Sequence, residues 1–362
     1  MEQKTELLGL NFQDLTSLVE RYGQPGYRAK QIFSGVYRER LGSVRDMSSL
    51  PQSFRDLLAE EQIGIGIPKI QKRFVSVDGT VRYLVEFSDG QTVETVWMPQ
   101  GDDGEEGDGS DAGGGEFSFH RATICVSSQA GCAVNCQFCM TALLGAIRNL
   151  TAGEVVGQIV AVLNDHGVDV AKSRVNLVFM GQGEPFLNYD NFMKSVHLLV
   201  EGVGIPVSRM TVSTSGIVPR IHEFAKEEVR PKLAISLNAS NDETREKIMP
   251  INRKWKIADL LDAAKKFPLS ARERLTFEYV LLEEVNDFPE NARELARLVS
   301  GIRCKVNLIA FNPGPEMQFR MPSEQSVDEF RQVLKSAGVP VFVRRPRGRD
   351  IYAACGQLRR MI

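Results

Sequence analysis

The spacing of apolar and polar positions divides the chain into regions of different period. Over residues 1–68 the period is helical. Asp14-Leu-Thr-Ser-Leu-Val-Glu places apolar residues on one face, and Tyr27-Arg-Ala-Lys-Gln-Ile-Phe and Ser53-Phe-Arg-Asp-Leu-Leu predict two further helices. Over residues 69–99 the period falls to two. Arg73-Phe-Val-Ser-Val and Val81-Arg-Tyr-Leu-Val-Glu-Phe flank Asp78-Gly79, a strong hairpin signal, and Asp89-Gly90 turns the chain into Thr92-Val-Glu-Thr-Val-Trp-Met-Pro99. Alternation along this last strand turns Glu94 toward water, where an isolated Glu usually lies.

From 120 to 345 short apolar runs alternate with helical stretches. Strands are predicted at Ala122-Thr-Ile-Cys-Val, Val175-Asn-Leu-Val-Phe-Met, Arg209-Met-Thr-Val-Ser, Lys232-Leu-Ala-Ile-Ser-Leu, Leu275-Thr-Phe-Glu-Tyr-Val-Leu, Lys305-Val-Asn-Leu-Ile and Val341-Phe-Val-Arg. Thr151 with Glu154 and Ser326 with Glu329 read as capping boxes. Apolar strands separated by helices imply a buried parallel sheet, hence an α/β fold. Polar or glycine residues follow the strand ends at Gly181-Gln-Gly-Glu-Pro185, Ser213-Thr-Ser-Gly216, Ser236-Leu-Asn238 and Asn312-Pro313. Those ends are where parallel α/β folds bind ligands.

Two segments interrupt this pattern. Residues 100–119 are rich in Gly, Asp and Glu, with too little apolar surface to offset the entropy of ordering. A disordered insertion is expected there. Residues 346–362 form a C-terminal segment with arginines at its start and end. The expected organisation is a helical accessory module over 1–68, a β-hairpin segment over 69–99, the insertion, a barrel over 120–345 and the tail.

Composition narrows the function. Among 362 residues 43% are hydrophobic and 25% charged, as in a soluble globular protein. No apolar run is long enough to span a bilayer, and Met1 to Leu10 lacks a signal pattern. A cytoplasmic protein is expected, without membrane association and monomeric. The formal charge of −2 conceals an asymmetry. Seven acidic residues lie between 101 and 116, so the rest holds 44 basic against 39 acidic residues, a net of +5. Arg344, Arg345, Arg347, Arg349, Arg359 and Arg360 cluster late, which permits a nucleic-acid partner.

The densest chemistry is Cys132-Ala-Val-Asn-Cys136-Gln-Phe-Cys139. Three thiols in eight residues can turn inward onto one iron–sulfur cluster, because thiolates favour such clusters or zinc. Zinc ribbons need a second C-x-x-C pair, and none follows; the next cysteine is Cys304. A cubane held by three thiolates leaves one iron open. Cys125 lies seven residues before the loop, and Cys355 sits in Tyr352-Ala-Ala-Cys-Gly-Gln-Leu. Cys304 reads as a buried, inert thiol. The small residues around Cys355 allow close approach by something bulky, and the arginines upstream favour a nucleophilic thiolate.

The three-cysteine loop resembles the signature of radical S-adenosylmethionine (SAM) enzymes. The whole ordered set of motifs resembles the RlmN/Cfr family of radical SAM RNA methyltransferases, its RlmN branch more closely. The set comprises Val93-Glu-Thr-Val, Cys125-Val-Ser-Ser-Gln, the cluster loop, Gly181-Gln-Gly-Glu-Pro, Ser213-Thr-Ser-Gly, Ile235-Ser-Leu-Asn-Ala, Phe311-Asn-Pro and Ala354-Cys-Gly-Gln-Leu. The resemblance covers nearly all of residues 5–358, except 100–119. It implies a partial (β/α)6 barrel and methylation of adenosine C2. The implied targets are 23S rRNA, at the peptidyl-transferase centre during ribosome assembly, and tRNA, just 3′ of the anticodon. It also implies an electron donor, which the sequence does not identify.

Carried over by motif, Cys132, Cys136 and Cys139 hold a [4Fe-4S] cluster. Gly183, Glu184, Ser213, Ser236, Leu237, Asn238 and Asn312 contact SAM, two molecules of which serve each turnover. Cys355 takes a methyl group, which after hydrogen abstraction joins the protein to adenine C2. Cys125 closes a disulfide with Cys355 to release the product, and Glu94 accepts a proton. Asn238 stands where some relatives have His. Three other readings share parts of this pattern: Cfr-type methylation at C8, an iron–sulfur redox protein with a fully ligated cluster, and a radical SAM enzyme acting on a small molecule.

Overall fold

A computed structural model describes residues 5–99 and 121–360. The expected insertion at 100–119 lies outside the described residues. The N-terminal helices form as the spacing predicts, at Phe12–Arg21, Tyr27–Phe33 and Gln52–Glu60. The first begins at Asn11, whose side chain accepts from Asp14 N while Asp14 accepts from Asn11 N. It buries Leu15, Leu18 and Val19.

Three antiparallel strands follow: β1 (Lys69–Val75), β2 (Val81–Glu86) and β3 (Thr92–Pro99). Strand β3 pairs antiparallel with β4 (Arg121–Cys125). A two-stranded ribbon, β5 (Gln129–Gly131) with β6 (Ala146–Asn149), stands apart from the main sheet. Next come β7 (Arg174–Phe179), β8 (Met210–Thr214), β9 (Lys232–Ser236), β10 (Leu275–Leu281), β11 (Cys304–Ala310) and β12 (Val341–Arg344). Together they make one ten-stranded sheet ordered β1-β2-β3-β4-β7-β8-β9-β10-β11-β12. From β4 to β12 all pairings are parallel and neighbours follow chain order. That winding is the barrel type, and the six strands β4 and β7 to β11 supply the expected partial (β/α)6 barrel. The antiparallel hairpin is not a separate piece. Through β3 it extends the barrel sheet beyond β4.

Helix Ala152–Asp165 carries the Thr151–Glu154 capping box and is buried along most of its length. Leu7, Leu15 and Leu18 share one hydrophobic core with its Val155, Val156 and Ile159. Close approach requires glycine here, since a Cβ on Gly153 would lie 2.3 Å from the Leu8 carbonyl oxygen. The second expected capping box is corrected. Helix Glu324–Ser336 starts earlier, capped by Ser323, while Ser326 Oγ donates to Asp287 Oδ2 at 2.9 Å. Among the described residues no helix is long and apolar enough to cross a membrane.

Candidate active site

The cluster loop closes on a glycine. Gly131, at φ +81°, ends β5 so near Gly145 that a Cβ would sit 1.9 Å from the Gly145 carbonyl oxygen. Cys132 N donates to that oxygen at 2.8 Å, Cys139 N to Cys136 O at 3.0 Å, and Gln137 N to Ile248 O at 2.9 Å. These bonds tie the loop to the ribbon turn and to the last residue of helix Asp242–Ile248, and the loop faces the C-terminal ends of the barrel strands. Cys132, Cys136 and Cys139 all line a cleft of about 930 Å³ there. Burial pushes the Cys132 thiol up to about 12 and raises Cys136 and Cys139 as well. Such thiols ionise only beside a cation, which ties their deprotonation to metal loading. Among the described residues no three His, Cys, Asp or Glu side chains converge tightly enough to hold a single ion.

The opposite wall carries the polar strand ends. Gly183, Glu184, Ser213, Ser236, Asn238 and Asn312 line the cleft. Leu237 does not; its side chain is wholly buried and packs into the core, and its backbone N donates to Glu278 O at 3.0 Å. Glu184 accepts from Phe186 N at 3.0 Å and Ser215 N at 2.7 Å, while burial raises its carboxyl. Asn238 holds a left-handed backbone at φ +58° and is tied down by Val280 N, which donates to its Oδ1 at 2.9 Å. Asn312 Oδ1 is buried with no hydrogen-bond partner among the described residues, although Asn312 faces the cleft. An unmatched acceptor beside three thiols and a polar wall fits a cluster with SAM better than a sealed core.

Two further residues build this wall. Glu278, on β10, accepts from Ser213 Oγ at 2.9 Å and lies 3.4 Å from Arg344 Nη1. Its sequence signal was one charge inside the apolar run Leu275–Leu281. Arg245 is buried and donates to the carbonyls of Leu237 at 2.9 Å, Ser215 at 2.7 Å and Ser236 at 3.1 Å. Burial lowers its guanidinium to about 10. It bolts two strand-end loops together from behind, and nothing in its sequence neighbourhood distinguishes it from a helix-surface arginine.

A second lobe of about 770 Å³ adjoins the first. Cys125, Met98, Arg344, Arg345 and Arg347 line it. Cys355 lines both lobes, as do Cys139 and Asn312, so residue 355 stands at the seam. The tail is held there by Met140 N, which donates to Gly356 O at 2.7 Å, and by Gln357 Nε2, which donates to Pro313 O at 2.8 Å. Cys304 is buried elsewhere in the core.

Glu94 departs from the alternation-based expectation. It is wholly buried, not turned to water, and pairs with Arg82. Burial raises its carboxyl, opposed by Arg82 and by the nearby backbone N–H groups of Arg360 and Arg359. It lines neither lobe. Strand pairing sets Val96 opposite Cys125, and Glu94, two residues before Val96, shares that face of the sheet, while its carbonyl accepts from Ser127 Oγ at 2.6 Å.

Comparison with known proteins agrees with this geometry. Residues 126–299 match the Radical SAM superfamily, and residues 5–63 match the ribosomal RNA large subunit methyltransferase N-terminal domain. The chain is 64% identical to a probable dual-specificity RNA methyltransferase RlmN of Koribacter versatilis, covering 94% of this chain and 98% of that protein. It is 41% identical to the dual-specificity RNA methyltransferase RlmN of Campylobacter hominis, over 98% of this chain and 96% of the relative. A crystal structure of a radical SAM methyltransferase from Sphaerobacter thermophilus superposes with a TM-score of 0.88 at 41% identity, covering 98% and 99% of the two chains.

Proposed function

The chain belongs to the RlmN family of radical SAM RNA methyltransferases, and from that membership we propose that it methylates C2 of adenosine in 23S rRNA and in tRNA through a one-carbon unit carried on Cys355. The observation that carries this reading is the position of Cys355 on both lobes of the cleft. A thiol that collects a methyl group in one chamber and delivers it in another needs such a place.

Cys132, Cys136 and Cys139 are assigned to the [4Fe-4S] cluster. Gly183, Glu184, Ser213, Ser236, Asn238, Asn312 and the backbone of Leu237 are assigned to SAM. When bound, the cluster and SAM supply a methyl donor, an electron and a hydrogen-abstracting 5′-deoxyadenosyl radical. The chain's residues do the rest. Cys355 Sγ accepts the methyl group and loses its proton. With one hydrogen atom removed, the methylene on that sulfur bonds to adenine C2. The adduct radical then gives up the C2 proton and one electron, for which the oxidised cluster would be the acceptor. Cys125, which lines the second lobe, is assigned as the first stop for that proton, with Glu94 as its final acceptor. The Cys125 thiolate next attacks Cys355 Sγ, breaking the S–CH2 bond. The released carbon takes up a proton to become the methyl product, and a Cys125–Cys355 disulfide remains.

The target base must leave its stack to enter the second lobe. Arg344, Arg345 and Arg347 on that lobe suit the phosphates beside it. The N-terminal module, with its half-buried Arg28 and exposed Lys30, is assigned a further RNA contact. A cytoplasmic location follows from these substrates. The test is digestion of rRNA and tRNA from a deletion strain complemented with this chain, followed by nucleoside mass spectrometry. 2-Methyladenosine in both RNAs is expected. Methylation at C8, or none at adenosine, refutes the proposal.

A further inference from the structure

The tail that carries Cys355 is gripped beside the second lobe, whose lining includes Arg347. The turn between β1 and β2, residues Ser76 to Thr80, interlocks with residues 347–350. Asp350 Oδ1 accepts from Ser76 Oγ at 2.5 Å, and its Oδ2 accepts from Val77 N at 3.2 Å. In return, Asp78 Oδ2 accepts from Gly348 N at 3.0 Å, while its Oδ1 accepts from Thr80 N at 2.9 Å. Arg347 adds Nη1 at 4.0 Å from Asp78 Oδ2 and donates through Nη2 to Pro99 O at 3.2 Å. Each partner thus contributes one carboxylate that accepts from the other's backbone. Hydrogen bonds to a charged acceptor are about twice as strong as neutral ones. The Ser76 hydroxyl holds the Asp350 carboxyl below the usual range, and the Gly348 and Thr80 amides hold Asp78 there against burial.

None of Ser76, Val77, Asp78 or Asp350 lines either lobe. Between this grip and Cys355 the chain is built to bend. Tyr352 takes a left-handed backbone at φ +53°, with Gly348 inside the grip at +60° and Gly356 just past Cys355 at +83°. A bulky residue in that region is uncommon and strained, and it persists only where surrounding contacts impose it. Ile351 to Ala354 join the grip to the bonds that Gly356 and Gln357 make beyond Cys355, so the thiol-bearing residue is held from both sides.

We infer that the β1–β2 turn is a clamp that sets where the Cys355 sulfur stands between the two lobes, with Asp78 and Asp350 as positioning residues. The inference rests on reading Cys355 as the one-carbon carrier. It gives the antiparallel extension of the sheet a task in the reaction, since the strands that frame Glu94 also hold the tail. A displacement on the ångström scale at a reacting atom costs up to about a hundredfold in rate.

The test uses the cluster-loaded full chain. Cys355 methylation after addition of SAM is followed by intact-protein and peptide mass spectrometry in the unaltered chain, Asp350→Ala and Asp350→Asn. Cluster absorbance and the SAM dissociation constant are measured in parallel. Asp350→Ala is expected to slow methyl loading about tenfold with absorbance and SAM affinity unchanged, and Asn, which keeps one acceptor, to fall between. Equal loading rates overturn the clamp, as does a loss of rate that only tracks lost cluster or lost SAM affinity. If Asp350→Ala does not fold, Ser76→Ala carries the same comparison with a smaller slowing. An unaltered chain whose Cys355 gains no methyl group refutes the carrier reading itself and the clamp with it.

Discussion

The backbone N–H of Met140 donates to the carbonyl of Gly356 at 2.7 Å, joining the residue after the last loop cysteine to the residue after Cys355. Thr141 Oγ1 repeats the connection one step on, donating to Leu358 O at 2.8 Å. Two segments more than two hundred positions apart are therefore registered by hydrogen bonds, and the thiol of the tail meets the cluster loop at a fixed point.

Gly356→Ala tests that registration. At φ +83° an alanine is strained, and its Cβ would lie 3.3 Å from the Phe138 carbonyl oxygen. The expected cost is about 1 kcal/mol or more, concentrated on the tail. Methyl loading of Cys355 should slow while iron content stays at the unaltered level, measured by mass spectrometry and iron assay. An unchanged loading rate would show that the registration is not needed.

Arg245→Met removes the bolt behind the polar wall. The carbonyls of Leu237, Ser215 and Ser236 lose a donor in a site closed to water. About 3 kcal/mol or more of unfolding free energy should be lost. Chemical denaturation gives that value, and calorimetry should show weakened SAM binding. Arg245→Lys, which restores a charge but not the forked geometry, should recover only part of either.

Glu278 offers a finer probe of the same wall. Glu278→Gln keeps an acceptor for Ser213 Oγ but removes the charge beside Arg344. SAM affinity should change little, while RNA affinity at low salt should rise, because a negative charge beside Arg344 is removed. Glu278→Ala should weaken SAM binding by about tenfold through the freed Ser213 hydroxyl. Filter binding for RNA and calorimetry for SAM separate the two.

Stability at low pH should depend on Asp165. The Arg73 guanidinium holds its carboxyl below the usual range, aided by the Tyr83 hydroxyl and opposed by burial. A carboxylate depressed in the folded state contributes stability that is fully present above its unfolded value, about 4, and is lost as pH falls through the folded one. The unaltered chain should therefore exceed Asp165→Asn in thermal midpoint by a steady margin at about pH 7 to 8, above the titration of the neighbouring His166. The charge-based part of the margin should begin to fall below about pH 4 and vanish once pH drops beneath the depressed folded value. A margin independent of pH down to 3 would contradict the charge-based origin.

Much of this was legible in the chain itself. Helix Tyr27–Phe33, the Asp78-Gly79 turn, the parallel strands and the three-thiol loop carry local signals: period, turn chemistry and ligand spacing. The polar strand ends announced the wall because parallel sheets bind ligands there. What escaped depends on contacts distant in sequence. Glu94 looked like a surface residue because alternation reports which face a strand residue takes, not what covers that face. Leu237 shares a motif with Ser236 and Asn238, yet the period-two geometry of a strand end turns its side chain to the core. Ser326 gave way to Ser323 as a cap because Asp287, on another segment, engages its hydroxyl. The clamp on residues 347–350 left no trace in either segment alone.

The most direct measurement is the fate of Cys125→Ala. Loaded with its cluster, the variant is incubated with an electron donor, RNA substrate and SAM carrying a deuterated methyl group, then digested and sequenced by tandem mass spectrometry. A one-carbon bridge bearing two deuterons should join the Cys355 sulfur to adenine C2, and should persist because the resolving thiol is gone. RNA that emerges methylated and unattached, or a Cys355 that never gains the label, would contradict the carriage of carbon on that sulfur.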